Sequence, residues 1–158
     1  MRILIAFTSL SGNTREVACM LRAACESRGH LVSWVEVDLA GMECVPDPRH
    51  DLYLLGSWSW DGGRTPGEMK RFIAQLVEAV GKPRALAVFG TGETQWGEED
   101  YCGAVRRIAR FFDSPFPRLE IEQMPHGERD ATRIRQWIDE ILTSIEHTPH
   151  ADPALLIA

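Results

Sequence analysis

Residues 1–14 read MRILIAFTSLSGNT. An apolar run, Ile3, Leu4, Ile5, Ala6 and Phe7, passes directly into Thr8, Ser9, Leu10, Ser11, Gly12, Asn13 and Thr14, and a helical pattern begins there. The run reads as a strand buried on both faces, followed by a hydroxyl- and glycine-rich turn at a helix N-terminus. Unpaired N–H groups and the positive end of the helix dipole converge at such a turn, which suits a phosphate. The turn has no lysine, unlike a nucleotide-hydrolysing loop, and lacks the three-glycine spacing of a dinucleotide fold. Neutral donors therefore favour a tightly held phosphorylated cofactor over a nucleotide to be hydrolysed. Read alone, the same residues also fit a capped helix with no ligand.

Outward from this turn, strand-like runs recur at Arg2–Phe7, Leu31–Val37, Asp51–Gly56, Arg84–Gly90 and Arg118–Gln123. Helical spacing fills most of the gaps. Met69, Phe72, Ile73, Leu76, Val77 and Val80 mark a helix over Gly67–Val80, and Ile134, Trp137, Ile138, Ile141, Leu142 and Ile145 mark another near the C-terminus. Further helices are expected over Thr14–Arg28 and Tyr101–Phe112. Between Val37 and Asp51, Pro46 and Pro48 leave room only for a turn or a short 3₁₀ piece. The expected fold is α/β: a doubly wound, five-stranded parallel sheet of order 2-1-3-4-5 with helices on both faces and ligands at the carboxyl edge. One domain is expected over 1–147, followed by a loosely ordered tail, 148–158, containing Pro149 and Pro153.

The 158 residues carry a formal charge of −6, which disfavours nucleic acid and suits a basic protein partner. No apolar segment approaches the roughly 20 residues that span a bilayer, and the N-terminus lacks a secretory pattern. The four cysteines, Cys19, Cys25, Cys44 and Cys102, have no CxxC spacing, which points to reduced thiols in a cytoplasmic protein. His147 and His150 have helical spacing but form too small a set to indicate a metal.

Two further loops stand out at the ends of the third and fourth strands. One runs Gly56-Ser57-Trp58-Ser59-Trp60-Asp61-Gly62-Gly63-Arg64-Thr65-Pro66; the other runs Gly90-Thr91-Gly92-Glu93-Thr94-Gln95-Trp96-Gly97 and on to Tyr101. Three of the five tryptophans thus lie in polar, glycine-rich loops at the edge where the phosphate turn emerges. An exposed indole forgoes about 1.5–3 kcal/mol of burial, so a flat ligand between two of them is the economical reading. The alternative is packing of each indole under its own loop. If the segment is extended, Trp58 and Trp60 face opposite sides, which makes Trp58 a structural or rim residue rather than a stacking one.

These motifs resemble those of short-chain flavodoxins, the FMN-binding electron carriers. Ser9-Leu10-Ser11-Gly12-Asn13-Thr14 is similar to the family's T/S-x-T-G-N-T loop. Gly56 to Gly63 resembles its Gly-x-x-x-Trp-Gly-Asp-Gly loop. Phe89 to Trp96 and Tyr101-Cys102-Gly103-Ala104-Val105 are similar to its third loop and the helix start that follows. The resemblance runs from Met1 to His147, and the fifth strand has no long insertion, as in the short-chain form.

The resemblance implies FMN, with its phosphate on Ser9, Leu10, Ser11, Gly12, Asn13 and Thr14. Trp60 and Trp96 would stack on its two faces, beside Ser57, Trp58, Ser59, Asp61 and Gly62. Backbone near Asp61, Gly62 and Glu93 would meet the ring's N5 and pyrimidine edges, with Gly90, Thr91, Gly92, Tyr101 and the packing residue Cys102 also among the binding residues. Leu10 replaces a usual hydroxyl residue, and Asp61-Gly62 reverses the usual Gly-Asp order. Gly62 is therefore expected to carry the loop's flexibility one residue late. Glu98, Glu99 and Asp100 are either solvated charges at a helix start or a guide for partners.

The function implied is single-electron transfer from a reductase to acceptor redox proteins, through transient electrostatic docking of a monomer and without catalytic residues. Other readings are a specialised flavodoxin that activates a metal-dependent ribonucleotide reductase, a small FMN-dependent quinone reductase, and an interaction module with a degenerate site. The paired tryptophans leave little room for a quinone.

Overall fold

The computed structural model describes residues 1–147; the expected tail, with His150, lies outside the described residues. Five strands, β1 (Arg2–Phe7), β2 (Leu31–Glu36), β3 (Leu52–Trp58), β4 (Leu86–Gly92) and β5 (Leu119–Glu122), form one sheet of order β2-β1-β3-β4-β5. Every neighbouring pair is parallel. Among the described residues three helices connect them, α1 (Asn13–Ser27), α2 (Gly67–Val80) and α3 (Gly103–Phe112), and α4 (Gly127–Glu146) follows β5. The predicted topology holds, and the β2–β3 connection contains only a 3₁₀ turn, Met42–Cys44, where the prolines left no room for a helix.

Strand alternation divides the core in two. Ile3, Ile5 and Phe7 face α1 and α4 together with Leu54, Phe89 and Trp137. Leu4 and Ala6 face α2 and α3 together with Leu55, Val88, Met69, Phe72 and Ile108. Trp137 is buried and donates its indole N–H to the Pro117 carbonyl at 2.6 Å. Trp34 is half-buried, with its ring edge-on to Phe7 at 4.8 Å.

The strand ends differ from the periodicity reading. β3 and β4 each run two residues further, because Ser57 pairs with Gly90 and Trp58 with Thr91. The pattern of apolar residues stops at Leu55 and Phe89, whereas the backbone ladder continues through Gly, Ser and Thr. This extension is possible only without a side chain at two points. A Cβ on Gly56 would lie 2.3 Å from the Phe89 ring, and one on Gly90 would lie 2.2 Å from the Ser57 carbonyl oxygen and 2.4 Å from Val105.

Gly90→Ala should therefore destabilise the fold by about 1–3 kcal/mol, seen as a lower urea midpoint at unchanged slope. Gly67→Ala, at the open first position of α2, meets nothing within 4 Å and should leave the midpoint unchanged or raised. The thiols divide in the same way. Cys25 and Cys102 are buried, and burial pushes both up to about 12, whereas Cys19 and Cys44 are exposed. A thiol reagent at neutral pH should label Cys19 and Cys44 in the native protein, and all four only after unfolding.

Candidate functional site

In a parallel sheet the carboxyl ends of all strands share one edge, so the loops after β1, β3 and β4 meet there. They enclose a cleft of about 650 Å³. Leu10, Ser11 and Asn13 come from the first loop, Trp58, Ser59, Trp60, Asp61 and Gly62 from the second, and Thr91, Gly92, Glu93 and Trp96 from the third. Gly63 and Asp100 complete the lining and were not singled out as ligand contacts by the sequence. Both adjoin loop residues that were, so position along the chain was the available signal.

The first loop presents backbone donors. Gly12 adopts the left-handed conformation (φ 93°), and α1 begins without a side-chain cap. Among the described residues, the N–H groups of Leu10, Ser11, Gly12, Asn13 and Thr14 make no hydrogen bond within the protein. Five successive amides at a helix N-terminus fit a phosphate group, and the leucine at position 10 keeps its amide while its side chain is exposed. The hydroxyl groups are less available. Ser9 donates its N–H to Asp38 Oδ2 at 3.0 Å, and its Oγ accepts from the Arg15 amide. Thr14 is buried, with Oγ1 2.8 Å from Thr91 Oγ1, a contact that fastens α1 to β4.

Behind this loop lies a network the sequence did not reveal. Thr8 is fully buried, and its single hydroxyl proton lies between Asp38 Oδ1 (2.8 Å) and Glu68 Oε1 (3.2 Å). The same oxygen accepts the Trp58 indole N–H at 3.3 Å. Asp38 follows β2 and Glu68 opens α2, so only the folded topology brings them to β1.

The second loop folds back on itself through paired backbone bonds between Trp60 and Arg64. Within it Gly62 has φ 65° and ψ 30°, whereas Asp61 has no positive φ. The left-handed position has thus moved one residue along, to the glycine, and Asp61 avoids the cost a side chain bears there. The Asp61 carboxylate accepts from Arg64 Nη2 at 3.3 Å. Trp58 and Trp60 do not face opposite sides as an extended segment would place them, because β3 ends at Trp58 and Trp60 enters the turn paired with Arg64. Their rings meet edge to face at 5.3 Å, and both line the cleft. Trp58 is half-buried, while Trp60 remains 54% exposed.

Close backbone packing fixes this loop to α3. A Cβ on Gly103 would fall 2.5 Å from the Gly63 carbonyl oxygen. Arg107 Nε donates to that oxygen at 3.2 Å, and Ser59 Oγ accepts the Ala104 amide at 3.1 Å.

The third loop holds its indole by a carboxylate. Trp96 is 73% exposed, yet its Nε1 donates to Glu93 Oε2 at 2.9 Å, and Gln95 donates to the same oxygen. The Thr94 amide donates to Glu122 at 3.0 Å, tying the loop to β5. Ser57, Gly90 and Cys102 are buried beneath the cleft, and Tyr101 is partly buried beside it. Burial pushes the Tyr101 phenol well above its ordinary value. No group of three or more metal-ligating side chains occurs among the described residues, and none of their helices is long and apolar enough to cross a membrane.

The geometry can hold a phosphate at one end and a planar ring at the other, where exposed indole surface from two loops adjoins backbone amides and carbonyls. The family model described as Flavodoxin matches residues 5–137. "Probable flavodoxin 1" of Bacillus subtilis is 25% identical over 141 residues, covering 86% of this chain and 87% of its own. "Flavodoxin 1" of Shigella flexneri is 24% identical, with 87% and 90% covered. Oxidised Flavodoxin 2 from Bacillus cereus superposes with a TM-score of 0.74 at 27% identity, over 91% of this chain and 99% of that one. The chain belongs to the flavodoxin family, whose members carry electrons on bound FMN.

Proposed function

We propose that this flavodoxin shuttles single low-potential electrons from a reductase to acceptor redox proteins. The observation that carries the reading is one cleft whose lining joins Leu10, Ser11 and Asn13, residues with free amides, to two exposed indoles. Bound FMN supplies the one-electron chemistry, and the chain binds, orients and tunes it. The amides of Leu10 to Thr14 hold the phosphate without a cation. Trp60 and Trp96 cover the ring faces, and Trp58 forms the rim and buttresses Trp60. Glu93 orients Trp96, and Gly62 lets the adjoining peptide change direction at little cost.

Asp61, Glu93 and Asp100 line the cleft, so added negative charge there is disfavoured and the potential falls. With Glu98 and Glu99 they form an acidic rim that suits transient docking of basic-faced partners. No general acid or base is needed, which supports a carrier rather than an enzyme. We further infer a monomer working in a reducing, cytoplasmic compartment, consistent with four unpaired cysteines.

Titration of the apoprotein with FMN should quench tryptophan fluorescence and yield a yellow 1:1 complex. Trp60→Ala and Trp96→Ala should each weaken binding roughly tenfold or more, following the value of a buried aromatic face. A protein that ignores FMN would sink the reading. Anaerobic reductive titration should resolve two separate one-electron steps; a single two-electron step would instead favour a flavin reductase. Electron delivery to a basic-faced acceptor should slow as salt rises, because the docking charges are exposed.

A further inference from the structure

A second concave site lies on the flank of the sheet and shares no lining residue with the flavin cleft. It occupies about 720 Å³ between the C-terminal half of α3, the connection to β5, β5 itself and α4. Arg106, Arg110, Arg118 and Arg133 line it, against only Asp113 and Glu120. The lining carries +2, reduced to +1 by the Asp130 carboxylate 3.9 Å from Arg133 Nη1, on a chain of formal charge −6.

Arg106, Arg118 and Arg133 are held in place with most of their donors unspent. Glu120 Oε1 accepts from both Arg106 Nε and Arg118 Nε, each at 3.3 Å. Arg133 Nη2 donates to the Glu120 carbonyl at 2.9 Å, and Arg106 Nη1 donates to the Glu98 carbonyl. Among the described residues, Arg118 makes no other side-chain hydrogen bond and Arg110 makes none. A guanidinium offers five N–H donors in a planar fork matched to phosphoryl oxygens. Glu120 thus gathers the cluster but cannot satisfy it.

We propose that this groove binds a soluble oligophosphate, of the class of inorganic pyrophosphate or a nucleoside di- or triphosphate. The size lies within the range of small-molecule clefts and exceeds what one phosphate fills. Phe116 and Pro117 add apolar wall beside the charged groups, where an organic portion can rest. The net positive charge matches adjacent phosphoryl groups, and concavity favours a compact anion over an extended acidic segment.

The test uses FMN-loaded protein, so that the α1 loop is already filled, and inorganic pyrophosphate as the probe. Calorimetry at low salt should show saturable 1:1 binding, with amide NMR shifts confined to residues 106–120 and the start of α4. The double variant Arg110→Ala/Arg118→Ala should weaken binding roughly tenfold or more, and Glu120→Gln should tighten it. Arg71→Ala, which removes an exposed charge on α2, should leave it unchanged. All variants should retain the flavin spectrum. Absence of saturable binding, or equal weakening by Arg71→Ala, overturns the proposal. Displacement of pyrophosphate by a lower concentration of a short oligoglutamate peptide also overturns it, because the groove would then belong to an acidic protein partner.

Discussion

A helix that starts at the carboxyl edge of a parallel sheet leaves its first amides facing outward, and the function of this molecule depends on that constraint. α1 packs its apolar face, Val17, Ala18, Leu21 and Cys25, beneath β1 and beside α4. That packing fixes where the helix begins. No side chain caps it, so the amides from Leu10 onward remain available to an anion. The Thr14–Thr91 contact then sets the distance from this donor set to β4, whose own end supplies the far side of the cleft.

The network on Thr8 extends the constraint from the phosphate turn to the aromatic loop. Trp58 is tied through its indole N–H to Thr8, Thr8 to Asp38, and Asp38 to the Ser9 amide. Trp60 rests edge-on against Trp58. The two ends of the cleft are thereby linked by direct contacts that centre on the buried Thr8 and the half-buried Trp58, with Asp38 and Trp60 exposed at the ends. Such a chain of polar contacts orients its members best when each is satisfied. Asp38 also occupies the first amide of the turn, so the free donors begin one residue later than the motif alone implies.

Much of this was legible because its causes are local. Apolar spacing located Gly67–Val80, and the prolines at 46 and 48 correctly excluded a helix from the β2–β3 connection. Alternation of β and α indicated the parallel sheet, and its order came with the five-stranded doubly wound type that the element count matches. The ends of β3 and β4 were not legible, since the residues that extend them are glycine, serine and threonine, whose strand character arises from pairing with each other. Ser9 and Thr14 illustrate the same limit in the site. Their residue type points to ligand donors, yet each hydroxyl already has a protein partner from a distant or neighbouring element. Asp38 and Glu68 carried no local signal at all, because charged residues after a strand or at a helix start are common.

The Gly63–Gly103 approach makes the second loop and the start of α3 a single mechanical part. No side chain fits between the two backbones, and Arg107 and Ser59 clasp them from either side. A loop exchanged for a relative's would therefore have to travel with the first turn of α3, as one cassette. Chimeras that cut between them would join surfaces never shaped to touch. The unit of modular exchange is set by a backbone contact between residues forty positions apart, and its boundaries do not follow the boundaries of the loop.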